Sequence, residues 1–230
     1  SPVKDAALKH NIPVLQPTNL KSPEFYEQLK KYNPNLQVVV AFRMLPEVVW
    51  GYPEYGTFNL HASLLPQYRG AAPINWAIIN GEEVTGLTTF LLQHEIDTGN
   101  IIEQEKVIIS PEDNAGSLHD KMMEKGAQLV LKTVNNLAAD KVQLIAQKQE
   151  PDLKAAPKLS KETTRINWQM SAQEVNNIIR GLSPYPAAWT ELNGGYFKVF
   201  AAHPAEQNDQ LKPGEFVTDN KSYLKIKCDD

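Results

Sequence analysis

The chain has 230 residues, 42% hydrophobic and 22% charged, with a formal net charge of −4. This excludes a wholly disordered chain and a generic polyanion binder, and it fits one substantial core plus a smaller module, or two domains. The single Cys228 excludes an internal disulfide and a cysteine metal cluster and suits a reducing compartment, and no apolar run reaches the roughly 18 residues of a membrane span.

Ile12-Pro13-Val14-Leu15 reads as a short strand, placed at a sheet edge by its proline. Ser22 before Pro23-Glu24 is an N-cap followed by proline at the first helical position, and Phe25, Leu29 and Tyr32 mark the apolar face of the helix. Leu36 to Ala41 is a near-continuous β-branched run, which predicts a strand buried on both faces of a parallel sheet. Thr57-Phe58-Asn59-Leu60 is the next strand, and Pro73 to Asn80 a helix opened by proline and closed by Gly81. Gly86 to Leu92 and Ile101 to Ile109 are strands flanking the loop that holds Asp97. A long helix follows, capped by Ser117 with Asp120 three residues on, and Leu118, Met122, Ala127, Val130, Val134 and Leu137 keep its period. This alternation predicts an α/β fold with a mostly parallel sheet and ligands beyond the carboxyl ends of its strands.

From Glu150 the texture changes to a lysine-containing linker with Pro151 and Pro157. Ser171 and Glu174 form a capping box opening a helix with Val175, Ile178, Ile179 and Leu182. Short β-like pieces follow: Ala188 to Leu192, a Gly194-Gly195 turn, Tyr196 to Ala201, Phe216-Val217 and Tyr223 to Lys227, predicting a small barrel or open sheet. Charge is uneven: residues 51–140 sum to −7, 141–170 to +3 and 171–230 to −2. The basic strip suits contact with a polyanion or a solvated linker equally.

Asn59 and His61 are two apart in a strand, so both project from one face, and Asp97 arrives 36 residues past the histidine. An amide donor, an imidazole and a carboxylate together make an oxyanion donor, an acid/base and its orienter. Each residue alone also has a structural reading. The histidine would be a core hydrogen-bonding group, the amide would satisfy a loop, and Asp97 would form a turn before Thr98-Gly99. The Gly70-Ala71-Ala72-Pro73 run after Arg69 would then only let a loop pack tightly.

The run Phe58 to Pro73, with Ile96-Asp97-Thr98-Gly99, Ala41 to Pro46 and Arg180 to Trp189, closely resembles the folate-dependent formyltransferases that use 10-formyltetrahydrofolate. The similarity covers essentially the whole chain and is closest to the branch acting on methionyl-initiator tRNA. It implies a Rossmann-like, mostly parallel formyltransferase domain in residues 1–149, a linker in 150–165, and an OB-like β-barrel that binds tRNA in 166–230. The implied reaction moves the formyl group from N10 of the folate to the free amine of the charged tRNA. Asn59 would donate to the oxygen of the tetrahedral intermediate, His61 would act as general acid/base and second stabiliser of that intermediate, and Asp97 would orient or charge His61 or accept the amine's proton through water. Folate contacts are implied at Ser63, Leu64, Leu65 and Pro66, with Phe42, Arg43, Met44 and Leu45 forming another wall, and no metal is required. Arg69 would position substrate or support its loop. Lys154, Lys158, Lys161 and Arg165 are the candidates for phosphate contact.

A monomer in the bacterial cytoplasm, with no membrane contact, is the expected state. The family's first strand, helix, second strand and basic loop have no counterpart here, and the small domain stops part-way, so a fragment of a longer enzyme is expected. Another amine acceptor (a nucleotide sugar or glycinamide ribonucleotide), hydrolysis of formyl-folate, or an inactive folate- or tRNA-binding fragment are the alternatives.

Overall fold

The computed structural model describes residues 1–41, 44–148, 151–205 and 210–230, and its contacts group into two compact units, Ser1–Thr57 and Phe58–Asp230. In the first unit, helix α1 (Pro2–Lys9) starts at the Ser1 cap. Helix α2 (Pro23–Lys30) starts as predicted, the Ser22 hydroxyl accepting the Phe25 N–H at 3.2 Å. Strand β1 (Gln37–Val39) is shorter than expected and not buried on both faces, since Val38 and Val40 are exposed. Helix α3 (Glu47–Trp50) follows Pro46. The predicted strand at Ile12–Leu15 does not form. Pro13 and Pro17 each lack the N–H a ladder needs, and Ile12 instead donates its N–H back to the Ala7 carbonyl at the end of α1.

The second unit is built on strands β2 (Thr57–His61), β4 (Val84–Leu91) and β5 (Ile101–Ile108). Both pairings are antiparallel, β2 to β4 with His61 opposite Thr88 and β4 to β5 with Gly86 opposite Lys106. This overturns the mostly parallel expectation for these strands. A parallel neighbour needs a crossover of about a dozen residues or more, and only residues 92–100 join β4 to β5, so the chain turns back on itself. Between β2 and β4 lie the short strand β3 (Arg69–Gly70) and helix α4 (Pro73–Ile79). Helix α4 ends as predicted, with Gly81 in the left-handed conformation at φ 71°. Helix α5 (Ala115–Ala138) lays Leu118, Met122 and Leu129 into one core with Leu87, Val107, Ile109 and Ile78.

The cap of α5 is Asn114 rather than Ser117. Asn114 Oδ1 accepts the Ser117 N–H at 2.9 Å and the Ser117 hydroxyl oxygen accepts the Asn114 N–H at 3.1 Å, so Ser117 is the second member of the box. Beneath this cap the buried Asp113 carboxylate accepts from the Ser110 N–H, the Ser117 hydroxyl and the Lys121 ammonium. Burial pushes the Asp113 carboxyl up, but the Lys121 charge and these hydrogen bonds outweigh it and hold it below the ordinary value. A depressed folded-state value stabilises the protein above the unfolded value of about 3.9, and the contribution is lost as pH falls through the folded value. Asp113→Asn is therefore expected to lower the unfolding free energy by about 1 to 3 kcal/mol at pH 7. The gap to the parent should shrink below about pH 4, which urea denaturation at pH 7 and pH 3 reads directly.

Helix α6 (Ala172–Leu182) begins at the predicted Ser171–Glu174 box and packs Val175, Ile179 and Leu182 against Ile166, Ala188 and Cys228. Strands β7 (Ala188–Leu192) and β8 (Gly195–Val199) form a hairpin. Its turn is Asn193-Gly194, one residue earlier than expected, with both φ values positive as a two-residue primed turn requires. Strands β9 (Phe216–Thr218) and β10 (Leu224–Ile226) form a second antiparallel pair. Among the described residues these remain separate two-stranded ribbons, so the expected OB-like barrel is not found closed. The predicted linker also holds strand β6 (Ala155–Ala156), which pairs in parallel with β3. No helix among the described residues is long and apolar enough to cross a membrane.

Candidate active site

Strand β2 turns Asn59 and His61 into the protein, 4% and 6% exposed, opposite Phe90 and Thr88 of β4. The Phe90 ring meets the imidazole edge-on at 6.4 Å between centroids, giving it an apolar flank. His61 Nε2 lies 2.9 Å from the Tyr68 carbonyl oxygen. A carbonyl only accepts, so Nε2 carries a hydrogen and Nδ1 is the ring nitrogen left to take up or return a proton. Asp97 Oδ2 stands 3.9 Å from that Nδ1, an ion-pair separation when the ring is protonated and too long for a direct hydrogen bond. The sequence-predicted pair and its carboxylate are thus brought together.

Asp97 is held by backbone. Its Oδ2 accepts the Gly70 N–H at 3.0 Å, and its own φ is 56°, the left-handed region that aspartate tolerates better than most residues. The turn at Asp97 is what sets its carboxylate 3.9 Å from His61 Nδ1. Gly70 sits at φ 128°, and a Cβ there would strike the Ala156 carbonyl of β6. Only glycine lets the backbone pass between Asp97 and the linker strand.

Asn59 Oδ1 is buried with no hydrogen-bond partner in the protein, as are Gln37 Nε2 and Thr85 Oγ1. Rotating the Asn59 amide puts an NH2 donor at the same spot, equally unpaired by protein. Leaving such a group unsatisfied costs about 1 to 3 kcal/mol, a cost expected where the group serves a ligand.

The segment after β2 is rigid. The fully buried Ser63 hydroxyl donates to the Gln67 carbonyl at 2.6 Å, and Thr88 Oγ1 donates to the Ser63 carbonyl and accepts the Leu65 N–H. Gln104 Nε2 donates to the Leu65 carbonyl at 2.9 Å. Leu65 packs into a core cluster with Phe90 and Ile101, Leu64 packs over Gly86, and Pro66 is half-buried. Met44 is exposed and Leu45 half-buried in the first unit, while Phe42 and Arg43 lie outside the described residues. Arg69 supports its loop through an amide rather than a carboxylate, its Nε and Nη2 donating to Gln147 Oε1 at 3.1 and 2.7 Å.

Sequence reasoning missed Tyr68, Gln147 and Ala156, while its reading of Gly70 as allowing close packing of the loop matches the approach to Ala156. Tyr68 acts through its main chain, while its phenol donates to Glu82 at 2.6 Å, and Lys154 pairs with the same carboxylate at 2.6 Å. Burial pushes the Tyr68 phenol up, reinforced by Glu82. Burial also pushes Glu82 up, but Lys154 and Tyr68 together bring it below its ordinary value. Among the described residues no group of three or more His, Cys, Asp or Glu is placed to hold a metal ion.

A family model described as formyl transferase matches residues 1–134, and one described as formyl transferase, C-terminal domain, matches residues 158–230. The chain belongs to the formyl transferase family. This formyl transferase is 54% identical over 240 residues to the methionyl-tRNA formyltransferase of Azobacteroides pseudotrichonymphae, covering 100% of the chain and 74% of that protein. It is 52% identical over 238 residues to that of Bacteroides thetaiotaomicron, with the same coverage, and 50% identical over 230 residues to that of Flavobacterium johnsoniae, covering 98% and 73%. The chain thus spans about three quarters of the length of these bacterial relatives. Among solved structures, the N-formyltransferase from Helicobacter canadensis in complex with folinic acid and dTDP-3-aminofucose aligns with TM-score 0.73 at 20% identity, over 98% of this chain and 78% of that one. HypX from Aquifex aeolicus in complex with tetrahydrofolic acid aligns with TM-score 0.69 at 23% identity, over 89% of this chain and 35% of that one. At those identities the likeness is one of fold.

Proposed function

We propose that this formyl transferase moves the formyl group of 10-formyltetrahydrofolate onto the free amino group of methionyl-initiator tRNA, for translation initiation in the bacterial cytoplasm. The observation that carries the choice of acceptor is identity near 50% across essentially the whole chain to proteins named for that reaction. The sugar-acting neighbour reaches only 20%.

The donor substrate brings an activated formyl carbon; the chain's own residues do the rest. A bond forms between the amine nitrogen and the formyl carbon, the bond from that carbon to N10 breaks, and one proton passes from the amine to N10. Asn59, with its amide turned so that the NH2 takes the unpaired position, donates to the formyl oxygen as it gains charge. His61 Nδ1 takes the amine's proton and returns one to the leaving nitrogen, its ring held by the Tyr68 carbonyl. Asp97, fixed by the Gly70 N–H, stabilises the ring while it carries the extra proton. The folate is assigned to Ser63, Leu64, Leu65 and Pro66, and the sequence also offers Phe42, Arg43, Met44 and Leu45 for it. The Leu65 side chain lies in the core, its N–H is held by Thr88 and its carbonyl already accepts from Gln104, so what it can still offer the folate is the second lone pair of that carbonyl.

In this reading residues 1–149 carry the chemistry, 150–165 link, and 166–230 engage tRNA. Lys158 and Lys161 are the first candidates for phosphate. Lys154 pairs with Glu82 and Arg165 with Glu191, exposed pairs of the strength phosphate competes with. Supplying the donor with charged initiator tRNA and a nucleotide amino sugar in one reaction tests the acceptor. Formylmethionine should dominate by about 100-fold or more in kcat/KM. Preferential formylation of the sugar, or release of formate without an acceptor, would reject this assignment.

A further inference from the structure

The Asp97 side chain, 10% exposed, hangs from a loop whose residues 93–96 are exposed. A tie to this loop comes from 50 residues away in sequence, where Gln147 Nε2 donates to the carbonyls of Asp97 and Gly99 at 2.9 and 2.8 Å. The other end of the same amide, Oε1, accepts both donors from Arg69, the residue before Gly70. Every hydrogen-bonding position of the Gln147 side chain is thus used, two donors and two acceptances. Two residues ahead of it the chain is tied to β5, Ile145 and Ile101 exchanging N–H···O bonds at 2.8 and 2.9 Å.

We infer that Gln147 is a positioning residue for the reaction proposed above, fixing Asp97 against His61 by clamping the Asp97 loop to the Arg69–Gly70 loop. Asp97 touches Gly70 through its side chain, and Gln147 holds the Asp97 loop's main chain on one side of that contact and the Arg69 guanidinium on the other. Losing the clamp lets Asp97 Oδ2 drift from His61 Nδ1, which stand 3.9 Å apart. A displacement near 1 Å at a reacting group costs up to about 100-fold in rate. The inference rests on the formyl-transfer assignment for its rate readout but not for its geometry.

Gln147→Glu separates the two ends of the amide, because it keeps the acceptor for Arg69 and loses both donors to the loop. We expect kcat to fall about 10- to 100-fold, with KM for both substrates within about threefold. Gln147→Ala should fall at least as far. In an Asp97→Asn background the same Gln147→Glu change should cost less than about twofold, since the group it positions is gone. Independently of turnover, the His61 Nδ1 resonance in 15N-histidine-labelled protein should move in Gln147→Glu in the same direction as in Asp97→Asn. An equal loss in both backgrounds, or an unmoved His61 resonance in folded Gln147→Glu, would overturn the role. Failure of the parent to formylate charged tRNA would reject the acceptor assignment and leave the resonance comparison to decide on Gln147.

Discussion

His61→Ala should lower kcat/KM for formyl transfer by about 100- to 10,000-fold, the range for losing a general acid/base. The size follows from geometry rather than from the residue type. Nε2 is committed to the Tyr68 carbonyl, so Nδ1 is the ring nitrogen free to exchange protons, and it faces Asp97 at 3.9 Å. His61→Gln is the sharper variant, since its amide can still donate to the Tyr68 carbonyl and keep the 63–69 segment in place. It has no basic nitrogen, so it should be nearly as inactive as alanine while retaining the parent's unfolding midpoint. Initial rates alongside a urea titration check both halves. An active His61→Gln would remove the imidazole from the chemistry.

The second large effect is at Asn59, and it has two signs. Asn59→Leu should lower kcat by about 100- to 1,000-fold, as expected for removing one donor to a developing oxyanion. The same change should leave stability unchanged or raise it, because a buried unpaired amide oxygen gives way to an apolar side chain of similar size. A residue kept for folding would show the opposite pattern: activity lost only in proportion to unfolded protein. Unfolding free energies set beside kcat for the two proteins distinguish these outcomes.

Much of the site was legible because it lies in one strand and its flanking loop. Period-two spacing placed Asn59 and His61 on one face, and the elements with local chemical signatures, Ser22-Pro23, Pro73 with Gly81, and Ser171 with Glu174, start or end where expected. The illegible parts depend on partners distant in sequence. Sheet direction is set by which strands pair, and the apolar run of Gly86 to Leu92 reads the same in a parallel or an antiparallel sheet until the shortness of the 92–100 connection is weighed. Ser117 and Asn114 are both good caps, and the choice turned on Asp113 beneath them, which ties the first turn of α5 to Ser110 and Lys121. Strand β6 is Ala155-Ala156, two residues with no strand signature, formed because Gly70 leaves room for a neighbour. Gln147 gives no signal by spacing or composition, since its role exists only once two loops meet. Tyr68 contributes to His61 through a carbonyl that any residue possesses.

In the mechanism proposed for this chain, Asn59, His61 and Asp97 together transfer a formyl group to the amine of methionyl-tRNA. Its most direct test uses donor labelled in the formyl carbon, charged initiator tRNA, and the parent beside Asp97→Asn. Label should appear on the methionine nitrogen in the parent, and at a rate lower by about 100-fold or more in the variant. Label absent from methionine in the parent, or arriving equally fast in Asp97→Asn, would contradict it.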